Sequence, residues 1–195
     1  MKKRRLLPPI EVSHLTALKR VVIASLVWTL LGCGTAQEQV PDRLTGPVYD
    51  GADLLAPVDE KVLHTKLREY HRTTGNTVIV ATVDSLHGEA IEHFARRIYG
   101  EWGIGDAKTN RGLLLLIAPN ERRARIEVGC ALETVVSNAQ AQDVMDNEII
   151  TEMAAGRPSR GIQAGVDGLI EILETAEVAP GPVSAYCVEL MGEAA

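Results

Sequence analysis

The sequence has few aromatic residues, few cysteines and no excess of basic charge. Each of these features excludes a class of protein. Aromatic residues make up 4% of the 195 residues, too few for a platform that stacks nucleic-acid bases. With 20 basic and 26 acidic residues the formal net charge is −6, whereas nucleic-acid binding requires a basic face. Three cysteines are too few for a disulfide scaffold. The remaining composition, 46% hydrophobic and 24% charged, is that of a globular domain.

The N-terminal part of the chain has the pattern of a bacterial lipoprotein signal. Lys19 and Arg20 precede an apolar run of 11 residues, Val21 to Leu31, which is shorter than the roughly 20 residues of a membrane-spanning helix. The run ends at Leu30-Leu31-Gly32-Cys33, which resembles a lipobox, where a cysteine receives the lipid. The alternative is an ordinary buried thiol at Cys33. The basic flank, the run length and the Gly-Cys junction favour lipidation of Cys33.

Cleavage before Cys33 would remove residues 1–32 as a signal peptide and leave a strongly acidic chain. The removed part holds six of the 20 basic and one of the 26 acidic residues, so the formal charge becomes −11. Anionic lipid headgroups repel such a chain, and the covalent lipid would hold it at a membrane regardless. We expect a tether at 33–46, a domain at 47–176 and a loose tail at 177–195. The predicted location is extracytoplasmic, on the periplasmic side or the cell surface.

The hydrophobic pattern of the predicted domain alternates between helices and strands. Apolar residues at helical spacing predict helices at 58–70, 91–102, 139–154 and 161–176. Two unbroken apolar runs and one alternating run predict strands at 77–83, 112–118 and 123–128. The first two strands, joined through a helix, should be parallel with a right-handed crossover, and the short turn at Pro119 should make the third antiparallel. The predicted fold class is α/β, a three-layer sandwich with a small mixed β-sheet and helices on both faces.

Five short motifs, taken in order, resemble the TPM-domain family. They are Val48-x-Asp50-x-Ala52-x-x-Leu55, Trp102-x-Ile104-Gly105, Asn110-x-Gly112-Leu113-Leu114, Arg122 to Gly129, and Leu132-Glu133. The resemblance extends from Val48 to Leu173, nearly the whole predicted domain. Similar proteins include a plant thylakoid-lumen protein with acid phosphatase activity, a cyanobacterial photosystem repair protein and a nematode receptor-associated protein, and several are reported to bind calcium. The resemblance implies a membrane-tethered extracytoplasmic domain that works beside other membrane proteins.

Three positions depart from the family's pattern. The family usually has Gly-aromatic-Gly-Leu-Glu where this chain has Gly129-Cys130-Ala131-Leu132-Glu133. A common Asp in the turn before the third predicted strand is Glu121 here, and a common Asp before the following long helix is Asn138. Many relatives also carry a C-terminal membrane helix or Gly-rich tail, for which this chain substitutes the predicted N-terminal lipid.

The predicted topology gathers polar side chains at one edge of the sheet. The loop with Asp106 and Asn110 enters the sheet where the second strand begins, and the antiparallel third strand returns to that edge just before Glu133. Asp50, ahead of the first helix, is expected to join them. Oxygen ligands of this kind suit Ca²⁺, which takes about 6–8 oxygens. The hypothesis is therefore a divalent cation, most simply Ca²⁺, at this edge.

Each of these four residues also has a purely structural explanation. Asp50 could cap a helical turn. Asp106 and Asn110 could shape the turn of their own loop. Glu133 could interact with the positive end of a helix dipole. The sequence leaves both explanations open.

A phosphatase would need a nucleophile or an activated water, together with cations that bind the phosphoryl oxygens. Cys130 has no arginine six positions later, so it is not part of a cysteine-phosphatase loop. Asp50 and Asp53 do not have the spacing of an aspartyl-phosphate motif. What remains is a water activated by the bound cation, with Arg111 and Arg122 as candidate phosphate clamps. Either arginine could instead be a solvated charge.

Two cysteines, Cys130 and Cys187, remain after lipidation of Cys33. In an oxidising compartment they could form a disulfide that ties the tail to the domain. Alternatively, Cys130 is a small buried residue and Cys187 a free thiol. The sequence leaves this choice open.

Taken together, these features favour a lipid-anchored module over an enzyme. The module would bind a divalent cation and assist assembly or maintenance of an unidentified membrane-protein complex, without contact to nucleic acid. The alternative function is a metal-dependent acid phosphatase that acts on phosphomonoesters. A third is a cell-envelope scaffold that binds no ligand.

Overall fold

The computed structural model describes the following residues of the chain: 40–41, 44–105, 109–175 and 187. The predicted signal peptide, the predicted lipidation site Cys33 and the candidate ligand Asp106 lie outside the described residues. Among the helices within them, none is long and apolar enough to cross a membrane.

The described domain contains four strands and five α-helices. In chain order they are β1 (Val48–Asp50), α1 (Pro57–Thr74), β2 (Thr77–Thr82), α2 (Ile91–Glu101), β3 (Gly112–Ala118), β4 (Arg123–Val128), α3 (Asn138–Val144), α4 (Thr151–Ala154) and α5 (Pro158–Thr175). A short 3₁₀ helix, Cys130–Leu132, follows β4. A π-helical segment, Met145–Ile150, joins α3 to α4.

The strands form one mixed sheet in the order β1-β2-β3-β4. β1 and β3 both run parallel to β2, and Val80 in β2 lies opposite Val48 on one side and Leu115 on the other. β4 runs antiparallel to β3, with Ala118 opposite Arg123. The predicted α/β class, the parallel pair and the reversal after the second predicted strand are confirmed.

Alternate residues of the central strand β3 supply the two sides of the core. Leu113, Leu115 and Ile117 belong to a cluster that includes α1, α3 and α5. Leu114 and Leu116 belong to a second cluster that includes α2. Helices therefore cover both faces of the sheet, as a three-layer sandwich requires. Because neither face of β3 meets water, the strand is an unbroken apolar run.

The helices of two consecutive crossovers lie on opposite faces of the sheet. α1 connects β1 to β2 and packs in the first cluster, whereas α2 connects β2 to β3 and packs in the second. Both connections step in the same direction across three adjacent parallel strands, so the two crossovers have opposite hands. One of them therefore departs from the rule that such connections are right-handed.

Local sequence signals set the two ends of α1. Pro57 lies in its first turn, and Asp59 and Glu60 lie near the positive end of the helix dipole. Gly75 ends the helix with a φ of 74°, and its N–H donates to the carbonyl oxygen of His71. A residue without a Cβ adopts this left-handed conformation at little cost.

Two features were not predicted from the sequence. β1 has three residues, too few for a periodic pattern to be recognised. The helix predicted at 139–154 is interrupted by the π-helical segment, which ends with Ile149 fully buried and Ile150 47% exposed. Apart from the short 3₁₀ helix, for which no position was predicted, the other elements begin and end within four residues of their predicted positions.

The predicted tether contains residues that contact the domain. Val40 and Leu44 pack against the second core cluster. The indole N–H of Trp102 donates to the carbonyl oxygen of Pro41 at 2.8 Å. Packing of the domain therefore begins several residues before the predicted boundary at residue 47.

The predicted tail is covalently joined to the domain at one described residue. Cys187 forms a disulfide with Cys130, and the two Cα atoms are 5.4 Å apart. Both cysteines are buried. Of the two alternatives that the sequence left open for this pair, the structure has the disulfide.

The contact between α5 and the π-helical segment gives the first prediction. Alanine usually stabilises a helix relative to glycine by about 0.5–1 kcal/mol. A Cβ at Gly165, however, would lie 2.6 Å from Cδ1 of the fully buried Ile149. We expect Gly165→Ala to lower the free energy of unfolding by roughly 1–3 kcal/mol, measured by urea denaturation.

Gly100→Ala is the matched control for Gly165→Ala. Gly100 is exposed on α2, and a Cβ there would have no heavy atom within 4 Å. It should therefore be neutral or slightly stabilising. Equal stabilisation by both substitutions would contradict the close packing of α5 on the π-helical segment.

Candidate functional site

The two edges of the sheet, at opposite ends of its strands, carry different polar residues. The edge where β1, β2 and β3 begin and β4 ends is called the amino edge. The carboxyl edge is the one where β1, β2 and β3 end and β4 begins. The candidate residues named from the sequence are divided between these two edges.

Asn110 lies at the amino edge, just before β3. Its backbone is left-handed, with a φ of 46°, and its Oδ1 accepts a hydrogen bond from the Tyr99 hydroxyl at 3.3 Å. Its carbonyl oxygen accepts the N–H of Ala131, at 3.4 Å, in the 3₁₀ helix that follows β4. The segment that leads to Glu133 therefore lies beside Asn110, as the reversal of β4 requires.

Three glycines surround the hydroxyl of Tyr99 at the amino edge. A Cβ at Gly105 would lie 3.0 Å from this oxygen, and a Cβ at Gly112 or Gly129 would lie closer still. Burial raises the pKa of Tyr99, and the negative charge of Glu127 raises it further. A backbone hydrogen bond from Gly112 lowers the pKa by a smaller amount. The hydroxyl is therefore neutral at ordinary pH and remains a hydrogen-bond donor.

Sequence reasoning missed Tyr99 and treated it only as one apolar position of a helix. The available signal was the placement of Gly112 at the start of one strand and Gly129 at the end of another. Glycine at such positions often marks the close approach of another group. The three glycines leave room for a phenol hydroxyl between the two strand ends.

Asp50 lies at the carboxyl edge, because β1 is parallel to β2 and Asp50 is opposite Thr82. One carboxylate oxygen accepts the Thr82 hydroxyl and the N–H of Leu54, the latter at 3.0 Å. The other accepts the N–H of Leu55 at 2.8 Å. The carboxylate thus fixes the loop between β1 and α1. The expectation that Asp50 joins Asn110 is wrong, because the unrecognised strand β1 carries Asp50 to the opposite edge.

The described residues do not form the four-residue metal site expected from the sequence. Asn110 and the segment before Glu133 share the amino edge, Asp50 lies at the other edge, and Asp106 is outside the described residues. Where the structure describes the chain, no three His, Cys, Asp or Glu side chains could together hold a metal ion. A cation at the amino edge would therefore depend on Asp106 for an additional carboxylate.

The two candidate phosphate clamps also lie at opposite edges. Arg111 precedes β3 at the amino edge, where its Nε donates to Oδ1 of the buried Asn76 at 2.8 Å. Arg122 follows β3, in the turn before β4 at the carboxyl edge. A seven-residue strand, roughly 20 Å long, separates them. The two arginines cannot bind the same phosphoryl group.

Glu121 has a structural role at the carboxyl edge. Its Oε1 accepts the hydroxyl of Ser85 at 3.0 Å and the N–H of Leu86 at 2.9 Å. Burial opposes ionisation of Glu121, but these hydrogen bonds together outweigh it and lower the pKa of the carboxyl. Glu121, at a position where the family commonly has Asp, therefore joins the β3–β4 turn to the loop after β2.

A cavity of about 930 Å³ lies beside α1, against the first residues of β2. Four of its lining residues carry cationic or titratable nitrogen groups: His64, Arg68, His71 and Arg72. Arg72 pairs with Glu69 on the same helix. Nδ1 of His71 lies 3.2 Å from the carbonyl oxygen of Asn76. On an acidic chain this basic groove can attract anions.

The role assigned to Asp50 gives the second prediction. Asp50→Ala removes the acceptor of three hydrogen bonds, so we expect the free energy of unfolding to fall by roughly 2–4 kcal/mol. The loss should be the same in a chelator and in millimolar calcium. Asp53→Asn, in the exposed part of the same loop, is the control and should change stability by no more than about 0.5 kcal/mol. A loss that occurs only in calcium would show that Asp50 binds metal instead.

Solved structures similar to this chain come from bacterial proteins. The N-terminal domain of a Porphyromonas gingivalis protein has a TM-score of 0.62 and 28% identity, over 67% of this chain and 83% of that one. The BA42 protein of the psychrophile Bizionia argentinensis has a TM-score of 0.55 and 15% identity, over 68% and 91%. The N-terminal domain of cg2496 from Corynebacterium glutamicum has a TM-score of 0.52 and 14% identity, over 75% and 90%. The last two show a shared fold alone.

A comparison with curated proteins finds no match. The family model of the TPM domain, in contrast, matches residues 48–172, which include every strand of the described sheet and nearly all of α5. This range agrees with the span of the resemblance predicted from the sequence, Val48 to Leu173. The chain belongs to the TPM-domain family.

Proposed function

We propose that this TPM domain is an extracytoplasmic binding module, held at a membrane by a lipid on Cys33, that assists assembly or maintenance of a membrane-protein complex. The observation that carries the proposal is the disulfide between Cys130 and Cys187. Disulfides persist in oxidising compartments and are rare in the cytosol. The signal-like run before Cys33 supports the same location, and it provides the means of export and attachment.

Binding, rather than catalysis, is supported by how the polar residues are used. Asp50 and Glu121 both accept hydrogen bonds that hold loops in place, so neither is a free nucleophile or base. Arg111 and Arg122 are separated by the length of β3. For these reasons we favour the module over the alternative, a metal-dependent acid phosphatase.

The divalent cation of this proposal belongs at the amino edge. Asp106 and Glu133 would supply carboxylate oxygens, and Asn110 an amide oxygen, a donor set that suits Ca²⁺. Bound there, the cation would offset the charge of these carboxylates and hold the loop before β3 against the 3₁₀ helix. Asp50 has no part in this site.

The proposed location gives the third prediction. Unreduced, lipidated protein should show no free thiol when unfolded and titrated with Ellman's reagent, because Cys33 is alkylated and the other two cysteines are paired. Replacing both Cys130 and Cys187 with Ser should lower the free energy of unfolding by about 4 kcal/mol, the chain-entropy value for their separation of 57 residues.

Cys33→Ser is the control for these measurements. It should release the protein from the membrane fraction and leave the disulfide intact. Two free thiols in protein isolated from its own membrane would contradict the proposed compartment, and membrane retention of the Cys33→Ser protein would contradict the proposed anchor.

The proposed cation gives the fourth prediction. Millimolar calcium should raise the melting temperature by a few degrees, because a ligand that binds only the folded state stabilises it. The shift should disappear in Asp106→Asn and in Glu133→Gln. It should persist in Asp50→Ala, although that variant melts at a lower temperature.

An aryl-phosphate assay at acid and neutral pH, with and without calcium, completes this test. We expect no turnover above that of buffer. Absence of a calcium shift in the wild type would contradict the cation site. Turnover that is lost in Asp106→Asn would instead support the phosphatase.

A further inference from the structure

A second cavity, of about 550 Å³, opens at the carboxyl edge of the sheet. Its wall is mostly apolar and includes Leu54, Ile117, Ile150 and Met153. Open α/β sheets commonly bind ligands beyond the carboxyl ends of their parallel strands. The volume falls within the range of small-molecule sites, about 300–1,000 Å³. We call this space the carboxyl-edge cavity.

Arg122, which lines this cavity, has a backbone conformation that its side chain does not favour. It has a φ of 53°, in the left-handed region. The other non-glycine residues of the described chain with positive φ are Asp53, His87 and Asn110, and these residue types are several-fold enriched there. Arginine has no such preference.

The turn itself does not require arginine at this position. The N–H of Arg122 donates to the carbonyl oxygen of Pro119 at 3.1 Å, and the next residue pairs with the last residue of β3. Hairpins that contain a left-handed residue in the turn usually have glycine at that position. Residues with strained backbone conformations cluster at functional sites, so the conformation of Arg122 indicates a function for the cavity beside it.

The apolar wall carries a second irregularity. Ile150 is the last residue of the π-helical segment and is 47% exposed at the cavity. Single π-helical turns occur frequently at functional sites. Met153, one turn further, adds a flexible side chain that adapts to ligands of different shape.

Within the part of the chain that the structure describes, no carboxylate pairs with the cationic groups at the cavity. Arg122 and Arg123 both line the wall, and neither forms an ion pair with another described residue. The neighbouring Glu121 directs its carboxylate to Ser85 and Leu86 instead. An anionic group at the mouth of the cavity would therefore meet two guanidinium groups.

From these observations we propose that the carboxyl-edge cavity binds a single-chain amphiphile with a carboxylate head, the chemistry of a long-chain fatty acid. The hydrocarbon chain would contact Ile117, Ile150 and Met153, and the carboxylate would contact Arg122 and Arg123. A peptide fits less well, because its buried N–H and C=O groups would lack partners in an apolar wall. A hydrocarbon chain has no such groups to satisfy.

Decanoate, below its micelle concentration, is the probe for this site. We expect saturable binding of one decanoate to the full chain by equilibrium dialysis. Decanol lacks the charge and butyrate lacks the chain length, so both should bind at least tenfold more weakly. Absence of saturable decanoate binding, or equal binding of butyrate, would overturn the proposal.

Arg122→Gly separates binding from folding. Glycine relieves the left-handed strain, so the melting temperature should stay the same or rise by roughly 2–4 °C. Decanoate affinity should fall about tenfold, since one guanidinium group is lost. Unchanged affinity in this variant would overturn the proposal.

Two further variants complete the test. Ala154→Phe places a ring at a position that is exposed and lines the cavity, so it should abolish decanoate binding without unfolding the protein. Arg68→Ala removes a cation from the basic groove beside α1 and should leave decanoate affinity unchanged. An equal loss in Arg68→Ala and Arg122→Gly would show nonspecific attraction to positive charge and would overturn the assigned site.

Discussion

The reversal of the chain between β3 and β4 is the constraint on which the arrangement of polar residues depends. It returns the end of β4 to the edge where β3 begins, so that Ala131 donates to the carbonyl of Asn110. The turn itself lies at the carboxyl edge, where Glu121 holds the loop after β2. A single tight turn therefore determines which loops can meet at each end of the sheet.

The sheet and its layers could be predicted from the sequence because burial on both faces leaves an unambiguous pattern. β3 has no polar residue among its seven positions. In β4 the apolar residues Ala124, Ile126 and Val128 pack against the first core cluster and alternate with charged residues. The position of Asp50 could not be predicted in the same way, since β1 has only three residues. Once that strand is recognised, parallel pairing places Asp50 opposite Thr82 and away from Asn110.

The remaining features leave no recognisable pattern in the local sequence. The Tyr99 hydroxyl is enclosed by glycines from three separate segments, and no local pattern connects them. The π-helical segment packs against α5 through the contact of Ile149 with Gly165, which helical periodicity does not reveal. The left-handed backbone of Arg122 belongs to the turn between β3 and β4, and arginine is not a residue type that indicates such a conformation.

Asp50 fixes a loop at the carboxyl edge, and the divalent cation that we propose would bind at the amino edge. Paramagnetic Mn²⁺, used in place of calcium on the ¹⁵N-labelled protein, tests this division most directly. We expect substoichiometric Mn²⁺ to broaden the amide signals of residues 109–112 and 129–133 and to leave those of residues 51–55 sharp. Broadening of 51–55, with 109–112 unaffected, would contradict this expectation and would make Asp50 a metal ligand.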